Sequence, residues 1–151
     1  MLAPAQLRHF GDCACFNVRW FNRVLTQHFT KAMRTSGLQP TQLPLLARLA
    51  AGSASLAELT DWLAMDRTTL LRNLRPLERR GWVRDQAGRR GRARQLELAP
   101  SGHRLLAEVQ PAWQRAQAQI EAAFGAGEWG RFMAKMEEVA TRLEKSGPGS
   151  P

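Results

Sequence analysis

Between Ser55 and Gly81 the chain carries two helix starts, one tight turn and one helix stop. That order leaves little room for anything but a helix-turn-helix. Ser55-Leu-Ala-Glu58 is a capping-box pattern, with serine at the N-cap and glutamate three residues on. It opens a short helix that buries Leu56, Leu59 and Leu63. Ala64-Met65 makes the turn, and the carboxylate of Asp66 is placed to accept the orphan N–H groups of the next helix. Met65 and Leu70 stand at the two positions of a hydrophobic staple around that cap.

The second helix, residues 67–80, separates cleanly into two sides. At about 100° per residue, Leu70, Leu71, Leu74 and Leu77 face the core. Thr68, Thr69, Arg72, Arg75, Pro76 and Arg79 face away, with Asn73 beside them. Short hydroxyls, an amide and arginines in one exposed stripe are what a recognition helix offers to base edges and phosphates in a major groove. Pro76 withholds a backbone N–H and predicts a kink on that side, and Gly81 stops the helix.

Charge points the same way. Ten arginines and only two acids, Glu78 and Asp85, lie between Arg67 and Arg94, so this segment carries +8 of the chain's +9. Charge kept for solubility spreads over a surface; charge gathered like this marks a polyanion-binding face. Arginine adds bidentate grip on phosphate or guanine. After Gly81, Trp82-Val-Arg-Asp-Gln86 reads as a strand and Arg92-Ala-Arg-Gln-Leu-Glu-Leu98 as its partner, with Leu96 and Leu98 on one face. The hairpin is a wing. Its arginines Arg89, Arg90, Arg92 and Arg94 are expected to follow phosphates or enter a minor groove.

Helices flank this module. Phe16, Trp20, Val24 and Met33, with Phe21, Leu25 and Phe29, recur at helical spacing over residues 13–35, and Gly37 ends that helix. A second helix spans about 41–51 with Leu45, Leu46 and Leu49 inward. From Ser101, Leu106, Val109, Trp113, Ala116, Ile120 and Ala123 form a coiled-coil-like seam, with a bend expected at Pro111. A last helix, about 127–144, repeats the pattern with Trp129, Phe132, Met136, Val139 and Leu143. These stripes exceed what a small winged module can cover, and a homodimer is expected to bury them. The fold class is therefore mainly α with a small β-hairpin wing. A single domain is expected over residues 1–145, with dimerisation helices at about 13–51 and 101–144, the winged helix-turn-helix at about 53–100, and a disordered tail at 146–151.

This order of elements resembles the MarR family of bacterial transcription regulators over residues 13–144. The likeness is strongest from Gly37-Leu-Gln-Pro-Thr-Gln42 through Leu56-Ala-Glu-Leu59, Asp66-Arg-Thr-Thr-Leu70 and Leu77-Glu-Arg-Arg-Gly81 to Leu98-Ala-Pro-Ser-Gly102. The resemblance implies a homodimer of interlocked terminal helices and a recognition helix in the major groove. It also implies a wing at the minor groove, a ligand pocket between the two regions, and repression by occupying a promoter. One departure stands out. Family wings carry an aspartate two residues before an arginine as a brace; Arg92 matches that arginine, but Arg90 stands where the aspartate would be.

Other chemistries find less support. There is no Gly-rich phosphate loop, no paired metal-binding histidines and no nucleophile motif, so neither an enzyme nor a cofactor is expected. No apolar run is long enough for a secretory signal or a membrane span, so a cytoplasmic location without membrane contact is expected. Cys13 and Cys15 stand too close for an unstrained disulfide with each other. An intersubunit disulfide, metal ligation with His9 and Asp12, or plain packing of a helix start remain open for them, and four zinc ligands are not evident. Arg19, Trp20, His28 and Trp113 are candidates to line a small-molecule effector cleft, though the tryptophans serve equally well as core. The rival to a sequence-specific regulator is a winged-helix protein that coats duplex DNA or binds RNA. The basic segment's single aromatic, Trp82, offers no row of bases a stacking platform, which favours duplex DNA.

Overall fold

The computed structural model describes residues 12–86 and 94–146. Helix α1 spans Ala14–Ala32 and closes through a 3-10 turn, Arg34–Ser36, onto Gly37. Gly37 takes a φ of 68°, the left-handed conformation that favours glycine at a helix end. Helix α2, Leu43–Ala50, accepts Pro44 in its first turn, where no N–H is missed, and buries Leu45, Leu46 and Leu49.

Next comes a strand the sequence does not advertise. β1 is only Ala54–Ser55, too short for alternation to show. Ser55 then caps helix α3, Leu56–Leu63: its hydroxyl accepts from the Glu58 N–H at 3.2 Å, and its own N–H donates to Glu58 Oε2 at 2.7 Å. Ala64, at φ 47°, turns the chain into helix α4, Arg67–Arg79. Asp66 Oδ1 accepts the Thr69 N–H at 2.9 Å, completing the second expected cap. Pro76 does not end α4; it withholds the N–H that the Arg72 carbonyl would otherwise receive, on a side open to water.

Strands β2, Val83–Asp85, and β3, Gln95–Leu98, complete an antiparallel sheet in the order β1-β3-β2. Val83 faces Leu98 and Asp85 faces Leu96 across the β2–β3 pair. Leu70, Leu74 and Leu77 of α4 join Leu46, Leu59, Val83 and Leu96 in one core. Leu71, expected inward, is half-buried against that core. Helix α5 runs Pro100–Phe124. Its first turn lies so close to the hairpin that a Cβ at Gly102 would collide with the Trp82 carbonyl oxygen and the Leu98 side chain.

Contacts gather into two compact units, one through Trp113 and one from Gln114. Helices α1 and α2 fall in the same unit as the winged module. In the first unit the α1 stripe itself divides. Met33 is buried and Phe29 packs on the core, whereas Phe16, Trp20 and Val24 are 62%, 51% and 43% exposed. In the second unit helix α6, Glu128–Ser146, follows a Gly125–Gly127 turn and clusters Trp129 and Phe132 with Phe124 at ring separations of 5.0–6.1 Å. Beyond that cluster Met133, Met136, Val139 and Leu143 stay exposed. Ser146, the first residue of the expected tail, is helical; the remainder, 147–151, lies outside the described residues. Among the described residues no helix is long and apolar enough to cross a membrane.

Both caps bear on pH. The Ser55 backbone N–H and then its hydroxyl hold Glu58 below the usual carboxylate range, and the hydroxyl and N–H of Thr69 do the same for Asp66. A carboxylate depressed in the folded state lends stability that is complete above its unfolded value, about 4, and lost as pH falls through the lower folded value. The melting temperature is therefore expected to drop between about pH 5 and about pH 3. Asp66→Asn keeps a cap that cannot titrate and should flatten that drop in thermal melts. A melt profile indistinguishable from wild type across this range would remove Asp66 from the account.

Candidate nucleic-acid interface

Helix α4 is held from three sides, and each hold uses a residue of the basic segment. At its start Asp66 fixes Thr69, which is half-buried and spends its N–H on the cap. Along its flank Asn73 donates to the Thr69 carbonyl at 3.1 Å and to Met65 Sδ at 3.7 Å, while its Oδ1 accepts from the Thr41 hydroxyl at 3.5 Å. At its end Arg80 donates to the Gly37 carbonyl at 3.0 Å and lies 4.8 Å over the Trp82 ring, a cation–π contact. Asn73, expected among the base-contacting residues, is thus half-buried and engaged inside the fold.

What remains outward is a narrow stripe. Thr68, Arg72, Arg75 and Arg79 are all exposed, opposite the fully buried Leu70, Leu74 and Leu77. Arg67 is exposed at the helix start. None of these four arginines meets an acidic side chain among the described residues. The reason lies in where the acids go. Arg84 of β2 pairs with Glu97 of β3, and Gln86 donates to the same carboxylate at 2.8 Å. Gln86 first and Arg84 second hold Glu97 below the ordinary carboxylate range. Arg94 takes both Asp85 and Glu78. Among the described residues, Glu97, Asp85 and Glu78 pair with the hairpin arginines, and none pairs with the helix arginines.

Arg94, expected among the wing's DNA contacts, is bridged to two carboxylates, Asp85 of β2 and Glu78 of α4. The other wing candidates, Arg89, Arg90 and Arg92, lie outside the described residues. So does His9.

The sensor candidates separate as well. Cys13 and Cys15 are both free and exposed at the start of α1, Cys13 as the N-cap residue. Among the described residues no three His, Cys, Asp or Glu side chains gather to hold a metal. Of the four cleft candidates Trp113 lines a groove between α2 and α5. Its ring stacks on Phe29 at 6.5 Å and closes one end of this groove, whose volume is about 460 Å³. Leu43, Ala47, Leu106 and Val109 form the apolar walls, with His103 and Gln110 the polar groups. Arg19 and Trp20 are exposed elsewhere on α1, and His28 is half-buried against Phe29 with its Nε2 unpaired. Sequence spacing missed the groove because its lining residues come from two helices more than fifty residues apart and carry no motif.

A tight two-helix turn, a second helix with an unpaired arginine–hydroxyl stripe, and a three-stranded sheet ending in a basic hairpin define a winged helix-turn-helix protein. No family model matches the sequence, and no curated protein is similar enough to it to show kinship. Solved structures are similar over nearly the whole chain. The transcriptional regulator MosR of Mycobacterium tuberculosis, in complex with DNA, is 33% identical with a TM-score of 0.79, covering 90% of this chain and 99% of that one. A probable transcriptional regulator from Pseudomonas aeruginosa is 25% identical with a TM-score of 0.78, covering 86% and 98%. A MarR-family transcriptional regulator from Silicibacter pomeroyi has the same fold at 20% identity and a TM-score of 0.65, covering 86% and 89%. The chain belongs to the MarR family of transcriptional regulators.

Proposed function

We propose that this protein is a homodimeric, sequence-specific binder of duplex DNA that represses transcription by occupying a near-palindromic site. One observation carries the reading: Thr68, Arg72, Arg75 and Arg79 form an exposed stripe that pairs with no acid among the described residues, on the outer side of the second helix of a helix-turn-helix. Two such helices, one per protomer, would enter successive major grooves about 34–36 Å apart. The open apolar rows on α1 and α6 supply the surface through which two copies would pair. MosR, similar over nearly its full length, was solved on DNA. Two routes of release are available, a small molecule in the α2–α5 groove and oxidation of the exposed Cys13 and Cys15.

The RNA reading is weakened by Trp82, the segment's single aromatic, which is half-buried and lies beneath Arg80. The general DNA-coating reading is separated by experiment. Fluorescence anisotropy should compare DNA from upstream of the protein's own gene, a random duplex and a single-stranded RNA across a salt series. Tight binding to the upstream DNA that persists as salt weakens the random duplex is the expected result. Equal, steeply salt-dependent binding to both duplexes would replace the regulator by a coating protein, and preference for the RNA would overturn both.

A further inference from the structure

The hairpin carries its charges on two faces, and the faces do different things. Register pairs Arg84 with Glu97 on the outer face, where Gln86 joins them. On the inner face alternate residues of β3 read Leu98 and Leu96, both buried, opposite Val83 and Asp85 of β2. Arg94 continues that inner row one step beyond Leu96. Its Nε donates to Asp85 Oδ2 at 2.8 Å, diagonally across the strand pair, and its Nη2 donates to Glu78 Oε1 on the last turn of α4. Glu78, at 25% side-chain exposure, is the most enclosed of the three, with Arg94 at 37% and Asp85 at 40%.

Glu78 stands where an acid is least welcome. The C-terminal turn of a helix concentrates partial negative charge from its free carbonyls, and a carboxylate there needs a cation to be tolerated. Arg94 provides it and ties the same guanidinium to β2. One side chain thus joins the end of the α4 stripe-bearing helix to both strands of the hairpin. The aspartate of the family brace is replaced by Arg90 in this sequence, whereas Asp85 and Glu78 both hold Arg94.

We infer that Arg94 is a positioning residue and not a phosphate ligand: with Glu78 and Asp85 it clamps the base of the wing to the end of α4. The inference rests on the DNA-binding reading above, and it has an unusual sign. Two acids on a DNA-facing, basic segment are required for tight binding, because they tie the hairpin strands to the end of α4.

Glu78→Gln, Asp85→Asn and Arg94→Gln keep size and change charge, so they test the clamp in the full-length protein after circular dichroism confirms folding. Each should weaken binding to the preferred duplex by roughly twofold to fivefold, the range for partly exposed ion pairs, with the log–log salt slope unchanged. The Glu78→Gln/Arg94→Gln pair should be no weaker than the worse single variant, as expected for partners in one contact. If Arg94 instead grips a phosphate, Arg94→Gln lowers the slope by about 0.9, and the two acid variants bind tighter because repulsion is relieved. That pattern overturns the clamp. A second readout needs no DNA: hydrogen exchange at the Gln86 amide, which bonds the Gln95 carbonyl at 2.8 Å, should speed up in all three variants of the free protein. Unchanged exchange overturns the clamp as well. Wild-type protein that binds no duplex would sink the DNA-binding reading, and the exchange result would still judge the clamp.

Discussion

Replacing Arg72 and Arg75 together by alanine is expected to erase the preference for the operator over random duplex. A good bidentate contact to a base edge contributes about 1–3 kcal/mol of discrimination, so two of them separate right from wrong DNA by roughly thirtyfold to about twenty-thousandfold. Both side chains are exposed on the α4 stripe, and neither meets an acid among the described residues, so their loss leaves no broken contact inside the fold. Melting temperature should hold while specificity falls. The pair of lysine variants sharpens the result, because lysine keeps charge but loses the planar fork. Lysine variants that fail like alanine ones would place these arginines on bases. Rescue by lysine, with equal alanine losses on both duplexes and a slope lower by about 0.9 per residue, would make them phosphate clamps.

The second large effect concerns α6. Leu143→Glu combined with Met136→Glu is expected to convert the protein from dimer to monomer in sedimentation velocity at micromolar concentration. Leu143 is 68% exposed and Met136 45% exposed in the single chain, so glutamate at either costs the isolated fold little. In a dimer the same positions would bury unpaired carboxylates against an apolar partner, which is strongly unfavourable. DNA binding should weaken at least about a hundredfold, and the salt slope should fall to about half, because one protomer neutralises half the phosphates. An unchanged dimer would show that the α6 row is not where the copies meet. A dimer lost with DNA affinity intact would show that one recognition helix suffices.

Much of the winged module was legible because its signals are local. Ser55 with Glu58 and Asp66 with Thr69 act over three residues, and both caps form as the spacing predicts. Leu70, Leu74 and Leu77 bury together because a helix brings every third or fourth residue to one side. The start of α5 lies within a residue of its expected position. Strand β1 was not legible, since two residues cannot display a period and its pairing partner, β3, lies forty residues away. The effector candidates Arg19, Trp20 and His28 were chosen by chemistry, and the fold places none of them in the α2–α5 groove.

The arginines show the division most clearly. The order of residues along the sequence places the basic segment between residues 67 and 94. Helical spacing determined which side of α4 the arginine stripe occupies. Which arginines are free for a ligand was decided only in three dimensions, because an acid neutralises whatever the fold brings within reach, not what precedes it in the chain. Glu78, Asp85 and Glu97 are carried to Arg94 and Arg84, the Gly37 carbonyl is carried to Arg80, and among the described residues no acid reaches Arg67, Arg72, Arg75 or Arg79. Local periodicity can place a charge on a face; the distance between charges on different elements exists only once those elements pack.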